Sequence, residues 1–364
     1  MRLPGPENSS SEQEYIVRHF KAPLTINQPV SPSWMLLGFA WPEDLPAPLP
    51  GQFFTFRPLS PEQGGDGLLR RPLAFAGFEG GTAYSLYQVR GPATRALAAH
   101  ARGPDRSDGA DSSDRGSAAC RRSWARRDSR ADNIGTAPDL ADMDEIDILG
   151  PLGNSFPLPE PGESAYLVGG GCGCGPIVYL YSYMRKLLGT AKHLGGAAAH
   201  PDPVCVLGFR TSADVPAMEA FAQTLFAGLG AFKDGGGDSP SDGATVSPIV
   251  AQTIYVATDD GSAGLKGNAV ESIAELFACS RRSRGASDAG TAHFYACGPA
   301  PMLRAAEALA ARAGGRLHVS AEQWMACGVG ACQGCAIPLV RGGYARVCAD
   351  GPVFGGGQID WEKL

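Results

Sequence analysis

Cys327, Cys332, Cys335 and Cys348 lie at C-x4-C-x2-C-x12-C spacing within MACGVGACQGCAIPLVRGGYARVCADGPVF, Met325–Phe354. The first three have the spacing of plant-type [2Fe–2S] sites, and the last supplies a distant fourth thiolate. Gly328, Gly330 and Gly334 fall between them. A loop around a cluster turns backbone N–H groups toward the sulfurs, and glycine permits the φ values this needs. A four-cysteine zinc site also uses thiolates at short and long spacings. Such sites usually show two separate C-x2-C pairs, and only one occurs here, which ranks the cluster first and zinc second. Four unligated core cysteines at this density rank last.

A second constellation is LVGGGCGCGP, Leu167–Pro176. A strand runs into Gly169, Gly170, Gly171, Gly173 and Gly175, and Pro176 opens a helix at its first position. Backbone N–H groups and the helix dipole at such a turn hold a pyrophosphate. The alternative is a tight turn without a ligand, with Cys172 and Cys174 as small packed residues. YACGPAPML, Tyr295–Leu303, places Cys297 at the end of a later strand and before another helix. That thiol either reaches the ligand edge of the sheet or is a buried small residue. In LLRRPLAFAG, Leu68–Gly77, Arg71 suits a phosphate through a charge-assisted bond; a surface pair on an edge strand is the alternative. LYQVRGPAT, Leu86–Thr94, adds a turn that opens a short helix and offers another anion cradle.

These residues need two kinds of scaffold. Up to about Pro159, GQFFTFRPL, RRPLAFAGF and AYSLYQVRG read as short strands broken by Pro and Gly, the pattern of a barrel or sandwich. DILGPLGNSFPLP, Asp147–Pro159, reads as a linker. From Ser164 to about Ser320 strands alternate with helices, AYLVGGG with PIVYLYSYMRKLL, VCVLGFR with AMEAFAQTLFAGL, TIYVATDDG with NAVESIAELFA, and HFYACGP with PMLRAAEALAARA, before RLHVSAEQ. That order means βαβ units and a doubly wound parallel sheet, which binds ligands at the carboxyl ends of its strands. The expected architecture is an N-terminal antiparallel β-barrel (1–159), a doubly wound parallel α/β domain (160–320) and a small C-terminal cysteine-loop domain (321–364). Residues 101–142 are mixed-charge and rich in Ser, Gly and Asp, and read as a disordered insertion. Phe232–Pro248 and Ser280–Gly290 read as further loops of that kind.

The chain has 364 residues, 44% hydrophobic and 19% charged, enough apolar side chain for real cores. A net charge of −6 argues against a nucleic-acid partner, which needs a basic face. The N-terminal segment shows no apolar signal region and no run is long enough to span a bilayer. The expectation is a cytoplasmic protein without a membrane partner. Ten cysteines in that compartment point to metal or redox chemistry.

Together, the strand-rich domain, the GGGxGxxP turn and the CGPxPML turn resemble the ferredoxin–NADP reductase superfamily. CGVGACQGC and VCADGPVF narrow this, since they are similar to the electron-transfer subunits of NAD-dependent dihydroorotate dehydrogenase B. The resemblance implies FAD in the barrel, with the flavin motif on Arg71, Pro72, Leu73 and Ala74, where Ala74 replaces the usual Ser or Thr. Further flavin segments fall on Leu86, Tyr87 and Gln88, the last often Arg, and on Ala93 and Thr94, with Ala93 in place of Gly. NAD phosphates would use Gly169, Gly170, Gly171, Gly173 and Pro176, and Cys297, the candidate catalytic residue, and Gly298 would lie near the nicotinamide. Asp259 and Asp260 would oppose a 2′-phosphate and favour NAD. The cluster ligands map onto Cys327, Cys332, Cys335 and Cys348. The implied partner is an FMN-containing dihydroorotate dehydrogenase catalytic subunit, in a heterotetramer of two of each. Electrons would pass from that FMN through the cluster to FAD and then to NAD+, in UMP synthesis. The rivals are a subunit of a ferredoxin:NADP oxidoreductase, sulfhydrogenase or sulfite reductase complex, and a non-enzymatic zinc-binding interaction module.

Overall fold

A computed structural model of the chain describes residues 16–57, 69–100, 145–160, 162–193, 201–215, 254–284 and 291–364. The polar tract 101–142, the expected helix AMEAFAQTLFAGL and the expected loop 232–248 lie outside the described residues. Ser280–Gly290 differs from expectation at its start. Ser280 to Arg284 continue a helix, since Arg281 can lay its cation on Phe277 one turn back.

The N-terminal sheet is antiparallel, with strands in the order β4-β3-β7-β1-β2-β6-β5. They are β1 (Arg18–Ser31), β2 (Trp34–Ala40), β3 (Phe53–Arg57), β4 (Arg71–Ala74), β5 (Gly77–Glu79), β6 (Thr82–Gln88) and β7 (Glu145–Leu152). The first half of the expected linker 147–159 is thus part of a strand between β1 and β3, anchored by Ile146 and Ile148 in the barrel core. The amide of Ala76 donates to Tyr84 O and the Ser85 hydroxyl to Ala74 O, both at 2.8 Å, which draws the two edges together. Leu24, Met35, Leu37, Phe39, Phe54, Phe56, Phe75 and Ile148 fill the interior.

Strand parity divides these residues between two cores. In β2, Met35, Leu37 and Phe39 point into the barrel, while Trp34 and Leu36 pack with the second domain. Both faces of β2 are covered, so WMLLGFA reads as a continuous apolar run. β1 carries Pro23 and Pro29, which mask its strand pattern in the sequence.

The second sheet runs β11-β10-β9-β8-β12-β13-β16. β8 (Ser164–Gly170), β9 (Val204–Phe209), β10 (Ile254–Thr258), β11 (Leu265–Lys266), β12 (Ala292–Cys297) and β13 (Arg316–Ser320) are parallel. α2 (Cys174–His193) covers one face through Ile177, Leu180 and Met184. α3 (Ala269–Arg284) and α4 (Ala300–Ala313) cover the other through Ile273, Leu303 and Leu309. α1 (Pro92–Ala99) follows β6 in the barrel domain.

After β13 the chain forms the cysteine loop, the small hairpin β14 (Ala336–Pro338) and β15 (Tyr344–Arg346), and β16 (Val353–Gly355). β16 pairs antiparallel with β13, an edge strand that the expectation of a parallel sheet omits. Ile337, Val347, Phe354 and Ile359 share one core with Phe294 and Leu317 of the sheet. α4 clamps this segment: Glu307 accepts the Gly357 amide and the Trp361 indole N–H.

Candidate metal centre and cofactor cleft

The four cysteines form two pairs. Cys335 and Cys348 are buried with their Sγ atoms 3.2 Å apart. Cys332 hydrogen-bonds Cys327 through both its amide and its thiol, nearer the surface. Backbone amides surround the sulfurs. Gly330 donates to Cys348 Sγ at 3.1 Å, Cys348 to Cys335 Sγ at 3.4 Å, Gly334 to Cys332 Sγ at 3.4 Å and Val329 to Cys327 Sγ at 3.5 Å. Gly328 and Gly330 have φ of 72° and 79°, and Gln333 also takes a positive φ, 59°. These left-handed residues turn the amides inward. Burial raises the Cys327 thiol, but the Cys332 and Val329 amides outweigh it and hold it down at about 6. Burial and its neighbour Cys335 push Cys348 up to about 12.

This donor set fits two irons better than one zinc. A tetrahedral zinc draws four sulfurs to about 2.3 Å from one point. Among the described residues no three His, Cys, Asp or Glu side chains gather closely enough to share one ion. Two thiol pairs match two metals with two protein ligands each, as a four-cysteine [2Fe–2S] site requires. The loop is seated on the barrel, where a Cβ on Gly328 would lie 3.1 Å from Thr55 and 3.4 Å from Leu152. The Thr55 hydroxyl is buried there without a hydrogen-bond partner among the described residues.

The second site lies at the carboxyl edge of the α/β sheet. Cys297 sits in register with Gly169 on one side and Ser320 on the other. The glycine turn packs tightly against this edge. A Cβ on Gly173 would clash with the Cys297 carbonyl, one on Gly170 with Met302, and one on Gly298 with both Met302 and Gly170. Gly175 touches Ala76 of the barrel, so the turn also joins the two domains. At Gly171, with φ 56°, a Cβ would meet nothing within 4 Å, which leaves the loop open on that side.

Residues 322–360 match the family described as the iron–sulfur cluster binding domain of dihydroorotate dehydrogenase B. Over 222 residues the chain is 36% identical to the dihydroorotate dehydrogenase B (NAD(+)) electron transfer subunit of Geobacillus thermodenitrificans. That match spans 59% of this chain and 65% of the relative. The subunit of the same name from Shouchella clausii is 30% identical over 317 residues, covering 85% of this chain and 86% of the relative. The chain belongs to the dihydroorotate dehydrogenase B (NAD(+)) electron transfer subunit family. A solved NADH-dependent reduced ferredoxin-NADP oxidoreductase chain shares the fold, with a TM-score of 0.59 at 22% identity, covering 94% of this chain and 91% of that one.

The segment expected to meet flavin, Arg71–Ala74, forms β4, where Pro72 pairs with Thr55 and Ala74 with Phe53, so these side chains share the face that carries the cysteine loop. Leu73 pairs with Phe54 and packs against the barrel interior. The two arginines separate. Arg70 pairs with Asp147, whereas Arg71 hydrogen-bonds only the Leu69 carbonyl, at 2.9 Å, and forms no ion pair among the described residues. Leu86 faces Gly175 and the α/β domain. The side chain of Tyr87 takes the opposite side: it is 1% exposed, and its hydroxyl donates to Asn27 inside the barrel. Tyr87 is therefore a core residue by its side chain, with only its backbone at the outer face. Gln88 accepts from Arg90 at 2.6 Å. Ala93 and Thr94 form the first turn of α1, where the Thr94 hydroxyl accepts the amides of Arg90 and Gly91 and caps the turn itself. Pro176 is the third residue of α2 rather than its first, behind a single tight turn at Gly171–Gly173.

Cys297 is buried, and that burial, with the charge of Glu322, pushes its thiol upward. Cys172 is exposed on the turn, yet the protein packed around it and Glu322 push its thiol up to about 11, while Arg90 pulls it down. Crowding by protein raises the Glu322 carboxyl, against the pull of Arg90. Ser320 thus lies beside Cys297, and the charges of Glu322 and Arg90 act on this edge; none of these three is among the expected site residues. Glu322 lies two residues beyond the carboxyl end of β13, the position where such sheets carry function.

Proposed function

We propose that this chain is the electron-transfer subunit of an NAD-dependent dihydroorotate dehydrogenase in the pathway to UMP. Its partner is an FMN-containing catalytic subunit, in a cytoplasmic complex of two copies of each. Among the described residues no helix is long and apolar enough to cross a membrane, in keeping with that setting. The working units are the barrel (1–159), the α/β domain (160–320) and the cluster segment (321–364). The observation that carries this reading is the paired, amide-lined set of four cysteines fastened to the barrel beside β4.

When bound, the cluster supplies single-electron transfer, FAD links one- and two-electron steps, and NAD+ takes a hydride. Cys327 and Cys332 would hold one iron and Cys335 and Cys348 the other, following the pairing of the thiols. The guanidinium of Arg71, bonded to the Leu69 carbonyl but in no ion pair among the described residues, and the first-turn amides of Ala93 and Thr94 suit the FAD diphosphate. Pro72, Ala74, Leu86 and Gln88, with the backbones of Leu73 and Tyr87, line the flavin. Gly169, Gly170, Gly171 and Gly173 offer amides to the NAD phosphates, at the helix start that Pro176 stabilises. Cys297 and Gly298 shape the floor under the nicotinamide. With its proton held on by burial, Cys297 packs there as a neutral group rather than attacking as a thiolate.

The test is anaerobic co-purification with the catalytic subunit, followed by a dihydroorotate-dependent NAD+ reduction assay. Turnover that depends on this chain and disappears in Cys335→Ser is the expected result. Full turnover in Cys335→Ser, or a complex with no flavin and no sulfide after reconstitution, overturns the proposal.

A further inference from the structure

Arg346 lies at the end of β15, two residues before Cys348. Its guanidinium forms a fork. Nε and Nη2 donate to Asp350 Oδ2 and Oδ1 at 3.0 and 2.9 Å, and Nη1 donates to the Gly330 carbonyl at 3.1 Å. The Arg346 amide also donates to Asp350 Oδ2, at 2.7 Å, so the carboxylate fixes both ends of the arginine. The third arm of the fork grips the residue whose own amide makes the shortest N–H···S contact named above, Gly330 to Cys348 Sγ at 3.1 Å. Gly330 is confined on that side as well. A Cβ there would lie 2.8 Å from Ala349 and 3.2 Å from Arg346 Nη1, and its φ is 79°. Asp350, Arg346, Gly330 and Cys348 therefore form one chain of contacts ending on a cluster sulfur.

We propose that Arg346 is a positioning residue which, through Gly330, aims an amide at Cys348 Sγ and so raises the reduction potential of the cluster. The inference rests on the reading that these cysteines hold a [2Fe–2S] cluster. Hydrogen bonds to the sulfurs help set the potential of such clusters. Reduction adds one electron and no proton, and the added charge spreads onto the sulfurs, so an amide dipole aimed at one favours the reduced form. Direct charge is the competing explanation. Arg346 is neutralised at contact distance by Asp350, and both side chains are about two-fifths exposed, at 42% and 41%. A screened, neutral pair has a weak field at a distance. That leaves amide geometry as the larger effect.

The experiment compares full-length wild type, Arg346→Gln and the charge-balanced double variant Arg346→Gln/Asp350→Asn. Iron and acid-labile sulfide are assayed first. The midpoint potential is then measured by a dithionite titration with mediators, followed by electron paramagnetic resonance. Both variants are expected to load iron and sulfide and to shift the oxidised-to-reduced ratio about tenfold toward oxidised, ~59 mV lower for one electron. A double variant that loads fully and keeps the wild-type potential overturns the proposal, since the effect would then be bare charge on Asp350. Should glutamine prevent loading, Arg346→Lys is read instead. An ammonium lacks the planar fork that serves Asp350 and Gly330 together, so a lowered potential supports the proposal and an unchanged one overturns it. Wild type without iron or sulfide after reconstitution would instead refute the cluster itself.

Discussion

Gly173 rests directly on Cys297: a Cβ on the glycine would lie 2.1 Å from the Cys297 carbonyl oxygen. The contact welds the turn after β8 to the turn after β12, on two neighbouring strands of the sheet. Gly173→Ala must force these strand ends apart, an overpacking cost of ~1–3 kcal/mol. Gly171→Ala meets open space and pays only for its left-handed backbone, about 1 kcal/mol. Gly173→Ala is expected to be the less stable of the two in urea and to raise KM for NAD+ more. Equal losses in the two variants would mean that the contact yields without cost.

Tyr87 gives a cleaner separation of stability from cofactor binding. Its hydroxyl donates to Asn27 Oδ1 at 2.9 Å, and the Asn27 amide group caps the end of α1 by donating to the carbonyls of Leu97 and His100. Tyr87→Phe strands a buried acceptor and should cost ~1–3 kcal/mol. Flavin content, read from visible absorption of purified protein, is expected to stay at the wild-type level. Lost flavin with unchanged urea stability would place the hydroxyl at the cofactor instead of the core.

The contrast between Tyr87 and its neighbours shows how far the sequence could be read. The motif at Leu86–Gln88 marked the segment, but side chains on a strand alternate, and which parity faces the barrel depends on pairing across β2. The order of strands and helices was legible because apolar periodicity is local. β1 and β2 were not, because prolines interrupt one and burial on both faces erases alternation in the other. That the four cysteines of the C-terminal segment act as one group was legible from spacing alone, and the fold brings them together as two pairs. Glu322, Arg90 and Thr55 were not, because what distinguishes them is the chain segments folded against them.

Acid stability should follow a buried histidine pair. The His293 and His318 rings lie 4.8 Å apart, tilted to each other, with Tyr295, Glu163 and Arg316 around them. Burial, reinforced by nearby positive charge, lowers both to about 4 from 6.5. Between those values the unfolded chain binds protons that the folded chain refuses. The pair's contribution is therefore complete above pH 6.5 and is lost as pH falls toward 4, by on the order of a few kcal/mol. Burial raises the Glu163 carboxyl, but the Glu160 amide and Arg316 outweigh it and hold it below its usual value, which adds a further loss at the acid end. Urea midpoints are expected to fall between pH 7.5 and 5, and His318→Gln should flatten that slope. A slope identical to wild type in that variant would exclude the pair as its source.

The two cysteine pairs should differ in how they tolerate serine. Cys335 and Cys348 are 2% exposed each, and their sulfurs take amides from Cys348 and Gly330. A serine oxygen is shorter-reaching and a harder ligand than thiolate, and the burial of these two positions keeps solvent from making up the gap. Cys335→Ser and Cys348→Ser are expected to lose iron and sulfide together. Cys332 is exposed on the loop surface, where solvent can complete the coordination of a displaced ligand. Cys332→Ser should keep a measurable fraction of iron and sulfide, with an altered visible spectrum. Iron and sulfide assays on anaerobically reconstituted variants decide the matter. If Cys332→Ser is as empty as Cys335→Ser, burial does not govern ligand tolerance. If all three bind a single zinc as well as wild type does, the paired thiols are not serving two irons.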